Sequence, residues 1–165
     1  MVKPFYQPEP HILGWLRAFT LPSDIVLDVG SGDGRHRDIG AASMKSLDVW
    51  PAAKPDYLID LEKEDLPSGV FTVVFLLDLL EHLSKKRGQE ILAQAQSLAS
   101  RAVVALTPLK WDENRDAFEE PGGFYQGNEM VLHRSLWSLA DFDCQWTRVW
   151  LPSTQDTFFG YWVRN

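Results

Sequence analysis

The stretch Ile25-Val26-Leu27-Asp28-Val29-Gly30-Ser31-Gly32-Asp33-Gly34 decides the fold. Ile25, Val26, Leu27 and Val29 form a short apolar run, the pattern of a strand buried on both faces of a parallel sheet. The run breaks into three glycines spaced one residue apart, which lets the backbone turn sharply and come close to a ligand. A strand feeding such a turn is where open α/β sheets bind nucleotide-like molecules. Asp28 lies inside the strand, two residues before the first glycine, where a solvated carboxylate is out of place. A carboxylate there suits loop amides or a cationic group, not an anionic pyrophosphate. The spacing is Gly-x-Gly-x-Gly, not the Gly-x-Gly-x-x-Gly of dinucleotide folds, and no Gly-Lys-Ser/Thr follows. A cationic ligand without phosphates fits best.

On Asp28, Gly30, Gly32 and Gly34 the chain resembles the class I S-adenosylmethionine-dependent methyltransferases, whose first motif is an acid followed by Gly-x-Gly-x-Gly. The resemblance extends over about residues 11–165 and is closest to small single-domain, small-molecule methyltransferases. It implies a Rossmann-like α/β domain: a seven-stranded, mostly parallel sheet with helices on both faces and an antiparallel last strand. It implies a cofactor site made by Asp28, Gly30, Ser31, Gly32 and Gly34, with the methionine carboxylate at the start of a short basic helix over Arg35-His36-Arg37-Asp38-Ile39-Gly40. It also implies that Asp48, about 20 residues past the motif, accepts from both ribose hydroxyls, as an acceptor-only carboxylate can. Val49 and Trp50 then flank the adenine, Asp60 accepts from its amino group, and the Leu61 amide donates to a ring nitrogen. Asp78-Leu79-Leu80-Glu81-His82-Leu83 resembles the Leu-Glu-His-Leu turn after strand four, which faces the sulfonium and the acceptor, so Asp78 joins the cofactor set. Neither an Asn/Asp-Pro-Pro-Tyr nor a Pro-Cys motif is present, which argues against adenine, glutamine and cytosine C5 acceptors.

The rest of the chain is read as scaffold around that plan. At 165 residues, 45% apolar and 24% charged, the sequence is one soluble globular domain with room for a core. No apolar run reaches the roughly 20 residues of a membrane span, the N-terminus has no signal-like apolar core, and the single cysteine forms no internal disulfide, so a cytoplasmic protein is expected. A net charge of −7 argues against a tight, sequence-independent hold on nucleic acid. Residues 1–10 form an arm, and Ile12, Leu13, Trp15, Leu16 and Phe19 make an amphipathic helix. Strands are expected at 45–49, 57–60, 71–77, 102–106, 144–150 and 157–163. Pro51–Pro55 forms an extended crossover, and Ser84 caps a helix carrying Ile91, Leu92, Ala95, Leu98 and Ala99. A second helix runs from a Ser135 cap through Leu136, Trp137, Leu139 and Ala140. Residues 109–130, long and aromatic without periodicity, are expected to cover the substrate. Glu62, Glu64 and Asp65 are expected in solvent and Cys144 in the core.

Methyl transfer is an in-line displacement at an already activated carbon, so the protein's main task is alignment and exclusion of water. For a hydroxyl or protonated amine a base helps. His82 is the first candidate, His133 the second and His36 the third. No residues are assigned to a metal. Three readings compete. They are a methyltransferase acting on an O, N or C atom of a small-molecule acceptor and releasing S-adenosylhomocysteine, a non-catalytic S-adenosylmethionine-binding protein, and a nicotinamide-dependent oxidoreductase. The last fails on Asp28, on the glycine spacing and on the absence of a Tyr-x-x-x-Lys. The acceptor and the oligomeric state are not legible.

Overall fold

The computed structural model describes residues 10–165, so the arm expected at residues 1–10 lies, up to residue 9, outside the described residues. The elements are α1 (Pro10–Phe19), β1 (Ile25–Val29), β2 (Ser43–Asp48), β3 (Tyr57–Leu58), β4 (Phe71–Leu77), α2 (Lys85–Leu98), β5 (Ala99–Pro108), α3 (Arg115–Glu119), β6 (Trp146–Arg148) and β7 (Thr157–Val163). The seven strands make one sheet in the order β3-β2-β1-β4-β5-β7-β6. β1 to β5 pair in parallel, and β7 runs antiparallel to both β5 and β6. The expected sheet, with its antiparallel last strand, is therefore present.

The period-two alternation of strand side chains sorts the apolar runs into two layers. Val73, Phe75 and Leu77 of β4 join Val26, Val104 and Phe159 on one face, where Ile12 and Leu16 of α1 cover them. Val74 and Leu76 join Leu27, Val103 and Phe158 on the other, under Ile91, Leu92 and Ala95 of α2. Both faces are covered, which is why the central strands read as continuous apolar runs. No described helix is long and apolar enough to cross a membrane.

Several local expectations are corrected. Residues 35–40 form no helix: Gly34 and Gly40 both take positive φ, and the Arg37 amide makes only a turn to the Gly34 carbonyl at 3.2 Å. No helix runs through 135–140 either. The Arg134 and Ser135 amides both donate to the Glu81 carbonyl, at 2.7 and 3.1 Å, and Trp137 sinks into the core, leaving only a 3₁₀ turn at Leu139–Asp141. Pro51–Ala53 is a 3₁₀ turn instead of an extended crossover. Ser84 precedes α2, but its hydroxyl donates to Glu62 Oε2 at 3.1 Å in place of capping, so Glu62 is engaged and not merely solvated. Cys144 is exposed, because the Asp143–Trp146 turn holds it outside before β6 begins. The segment 109–130 carries α3 and a 3₁₀ turn at Glu129–Val131.

Candidate active site

The glycine turn is fastened to the end of β2. The Gly30 and Ser31 amides donate to the Leu47 carbonyl at 2.8 and 3.0 Å, and the Gly32 amide donates to Asp48 Oδ2 at 2.8 Å. Gly32 has φ +49°, and a Cβ there would lie 2.1 Å from the Tyr125 hydroxyl, so any side chain here is strained and must displace the Tyr125 ring. Asp48 Oδ1 accepts from the Trp50 amide at 2.8 Å. Burial raises the Asp48 pKa above the usual carboxylate value, against the lowering effect of the Trp50, Gly32 and Val49 amides. A carboxylate offers about four acceptor positions. The Gly32 and Trp50 amides occupy two of them, the Val49 amide bears on the same carboxylate, and Asp48 still lines the cavity described next.

That cavity, about 990 Å³, opens beyond the carboxyl ends of the parallel strands. Gly30, Ser31 and Gly32 line it from the turn, Asp48 and Val49 from the end of β2, and Asp60 and Leu61 from beyond β3. Asp78, His82, His133 and His36 line it as well. Gly34 and Asp28 do not. Asp28 instead lines a smaller cavity, about 480 Å³, with Arg37, Met44, Ser46 and Lys54. Its Oδ2 has no hydrogen-bond partner among the described residues. Burial, then the nearby Asp48 charge, pushes its pKa up to about 7.

Past β4 the chain holds Asp78 at φ +51°, a costly conformation for a non-glycine residue, with its amide donating to the Leu106 carbonyl at 2.9 Å. Burial pushes Asp78 up to about 6 against the lowering field of Arg35. Its surface is nonetheless open to the cavity, so water screens that push. Glu81, three residues on, is 2% exposed. Its Oε2 accepts from the Thr107 hydroxyl at 2.9 Å, and burial together with the Asp78 charge holds it well above the carboxylate range. The anchoring of residues 134 and 135 to the Glu81 backbone brings His133 against His82, with ring centroids 4.9 Å apart at 66°. Burial first, then His133, lowers His82 to about 4, and burial lowers His133 too. Both imidazoles are therefore neutral near pH 7. His36 is also driven down to about 4, by burial and then by Arg35.

Sequence reasoning named Arg35, Tyr125 and Glu81 but did not find three of the pairings they make. Arg35 binds Asp33 Oδ1 through Nε at 3.0 Å and reaches the Tyr125 hydroxyl through Nη2 at 3.3 Å. Tyr125 thereby brings residues 109–130 onto the glycine turn. Glu81 and Thr107 form the third feature, and only the pairing of β4 with β5 puts them together. Of the expected aromatics in this segment, Phe124 and Tyr125 line the cavity, while Trp111 is 55% exposed.

No protein-family model and no curated protein matches the chain. Solved structures do. The chain is similar to the magnesium protoporphyrin IX methyltransferase ChlM of Synechocystis PCC 6803, solved with bound S-adenosylhomocysteine. The two share 20% identity over 94% of this chain and 81% of that one, with a TM-score of 0.62. It is similar to the N-methyltransferase NodS of Bradyrhizobium japonicum WM9, at 13% identity over 93% of this chain and 94% of that one, TM-score 0.55. A Rhodobacter sphaeroides protein, described only provisionally as a zinc-dependent alcohol dehydrogenase, matches at 14% identity over 98% and 92% of the two chains, TM-score 0.58. At such identities the likeness concerns architecture, and by its strand order and its glycine turn the chain has the fold of the class I S-adenosylmethionine-dependent methyltransferases.

Proposed function

We propose that the protein is an S-adenosylmethionine-dependent methyltransferase acting on a small-molecule acceptor through an O, N or C atom. One observation carries this reading. Gly30 to Gly32, Asp48, Asp60 with Leu61, and Asp78 all line one cavity at the carboxyl edge of a β3-β2-β1-β4-β5-β7-β6 sheet. Bound S-adenosylmethionine supplies a methyl group on a positively charged sulfur. The glycine turn lets the backbone approach the methionine portion, and Asp48 offers its remaining acceptor capacity to the ribose. Val49 borders the adenine, Asp60 and Leu61 meet its edge, and Asp28 supports the turn from beneath with Gly34. Asp78 supplies negative charge near the sulfonium. His82 and His133 face the acceptor as neutral imidazoles able to take its proton, although the low pKa of His82 makes it a weak base. Residues 109–130 exclude water from the transfer. The exposed, free Cys144 suits a reducing, cytoplasmic setting.

Titration calorimetry with S-adenosylmethionine, S-adenosylhomocysteine and NAD tests the cofactor. The expected outcome is micromolar binding of the first two and at least tenfold weaker binding in Asp48→Asn, about 1.4 kcal/mol. Binding of NAD alone would overturn the reading. Binding of S-adenosylhomocysteine with no methyl transfer across a broad acceptor screen would favour the non-catalytic alternative.

A further inference from the structure

We propose that Glu81, His82 and His133 form a divalent transition-metal site in the wall of the larger cavity. One ligand atom from each lies within 4.8 Å of the other two. A point between three atoms so spaced is at most 4.8/√3, about 2.8 Å, from each. Zinc–nitrogen and zinc–carboxylate bonds are about 2.0–2.2 Å. Small side-chain rotations of the two rings and the carboxylate cover the difference.

Each ligand is already oriented by a second group, as metal sites require. Thr107 Oγ1 donates to Glu81 Oε2 at 2.9 Å, which fixes the carboxylate and leaves Oε1 as the ligand atom. The His82 Nδ1 lies 3.4 Å from the Leu132 carbonyl, which favours the Nδ1–H tautomer and presents Nε2. The Asp112 backbone favours the protonated His133 ring, which places an acceptor beside it, and the His133 amide is fixed to the Glu113 carbonyl at 3.2 Å. Two imidazoles and one carboxylate suit zinc or ferrous iron and leave coordination positions open. All three ligands line the cavity, as does Asp78, whose carboxylate offsets the remaining positive charge.

What the site does rests on the methyl-transfer reading. An acceptor hydroxyl bound to the metal loses its proton to solvent near neutral pH. The resulting oxyanion forms a C–O bond to the methyl carbon as the C–S bond breaks, and that electron pair goes to sulfur, leaving a neutral thioether. The metal then takes the place of an imidazole base.

The test is calorimetry with Zn²⁺ on the whole chain after chelator treatment, with S-adenosylhomocysteine titrated separately. One zinc per chain is expected, with affinity reduced at least tenfold in His133→Ala and in Glu81→Gln. Thr107→Val keeps all three ligands and should lose roughly 10–100-fold through misorientation. The chain has four histidines, and His11→Ala, which lies outside the cluster and the cavity, should bind zinc as the wild type does. Zinc binding that is absent, or equal in wild type and in His133→Ala, overturns the site. Should Glu81→Gln fail to fold, the half-buried His133 and the Thr107 variant decide. Zinc binding without S-adenosylhomocysteine binding upholds the metal site and removes the methyltransferase reading, and the reverse result does the opposite.

Discussion

Asp28 lies under the glycine turn with 1% of its surface exposed and one oxygen without a partner among the described residues. Its folded-state pKa of about 7 exceeds the ordinary value of 3.8. A carboxyl raised in this way retains its proton in the folded chain while the unfolded chain has already released it. The cost to stability is nil below pH 3.8, grows as pH rises, and is complete above about 7. Asp28→Asn keeps the shape and removes the charge. We expect it to stabilise the ligand-free protein by roughly 2–4 kcal/mol at pH 8 and by little at pH 4, measured by urea unfolding. Equal effects at both pH values would mean that Asp28 is already neutralised by a partner. At this scale the glycine turn was legible because positive φ is a local demand written into single residues. The Glu81–His82–His133 cluster was not, because His133 arrives from about fifty positions away through backbone bonds that no local pattern encodes.

Strands and helices were legible wherever burial alone determines them. Phe71 to Leu77 reads as a buried strand and is one, and the stripe of Ile91, Leu92 and Ala95 packs as expected. The reading failed where tertiary bonds override local pattern. The helix expected after Ser135 does not form because that hydroxyl donates to the Leu80 carbonyl at 3.2 Å and accepts the Trp137 indole N–H at 3.0 Å. Helix-like spacing of Leu136, Trp137, Leu139 and Ala140 cannot outweigh a tryptophan buried to 1%. The segment 109–130 is an element of another kind, a cover held down at Tyr125. Its hydroxyl lies 3.3 Å from Arg35 Nη2 and close against Gly32. Tyr125→Phe removes a bond worth about 0.5–1 kcal/mol and adds no volume. Limited proteolysis or hydrogen exchange over 109–130 should then speed up roughly two- to fivefold while global stability hardly changes. Unaltered protection there would show that Phe124 and the other packing contacts hold the cover without the hydroxyl.

Across the whole molecule the two edges of the sheet do different work. The carboxyl edge is left to the cavity, and the amino edge is tied shut by Asp24. Its Oδ1 accepts from the Thr72 hydroxyl at 2.8 Å and from Arg101 Nε at 3.1 Å, and its Oδ2 takes the Leu21 amide at 2.7 Å and a second Arg101 nitrogen. One carboxylate thereby joins the chain before β1 to β4 and β5. Burial raises its pKa, but the bonds from Arg101, Leu21 and Thr72 outweigh burial, so the net shift is downward from 3.8. A depressed carboxylate contributes stability that is fully present above 3.8 and is lost as pH falls through the folded-state value. Asp24→Asn should cost about 2–3 kcal/mol at pH 7 by urea unfolding, less than for a fully enclosed pair because water reaches Arg101. The variant should also show a flatter loss of stability below pH 4 than the wild type, since the group that titrates there is gone. Because the cavity lies at the opposite edge, S-adenosylhomocysteine affinity at pH 7, under conditions where the variant is folded, should match that of the wild type. An affinity that falls in step with stability would mean that strain at the amino edge is transmitted along β1 into the glycine turn, and that the two edges are mechanically one unit.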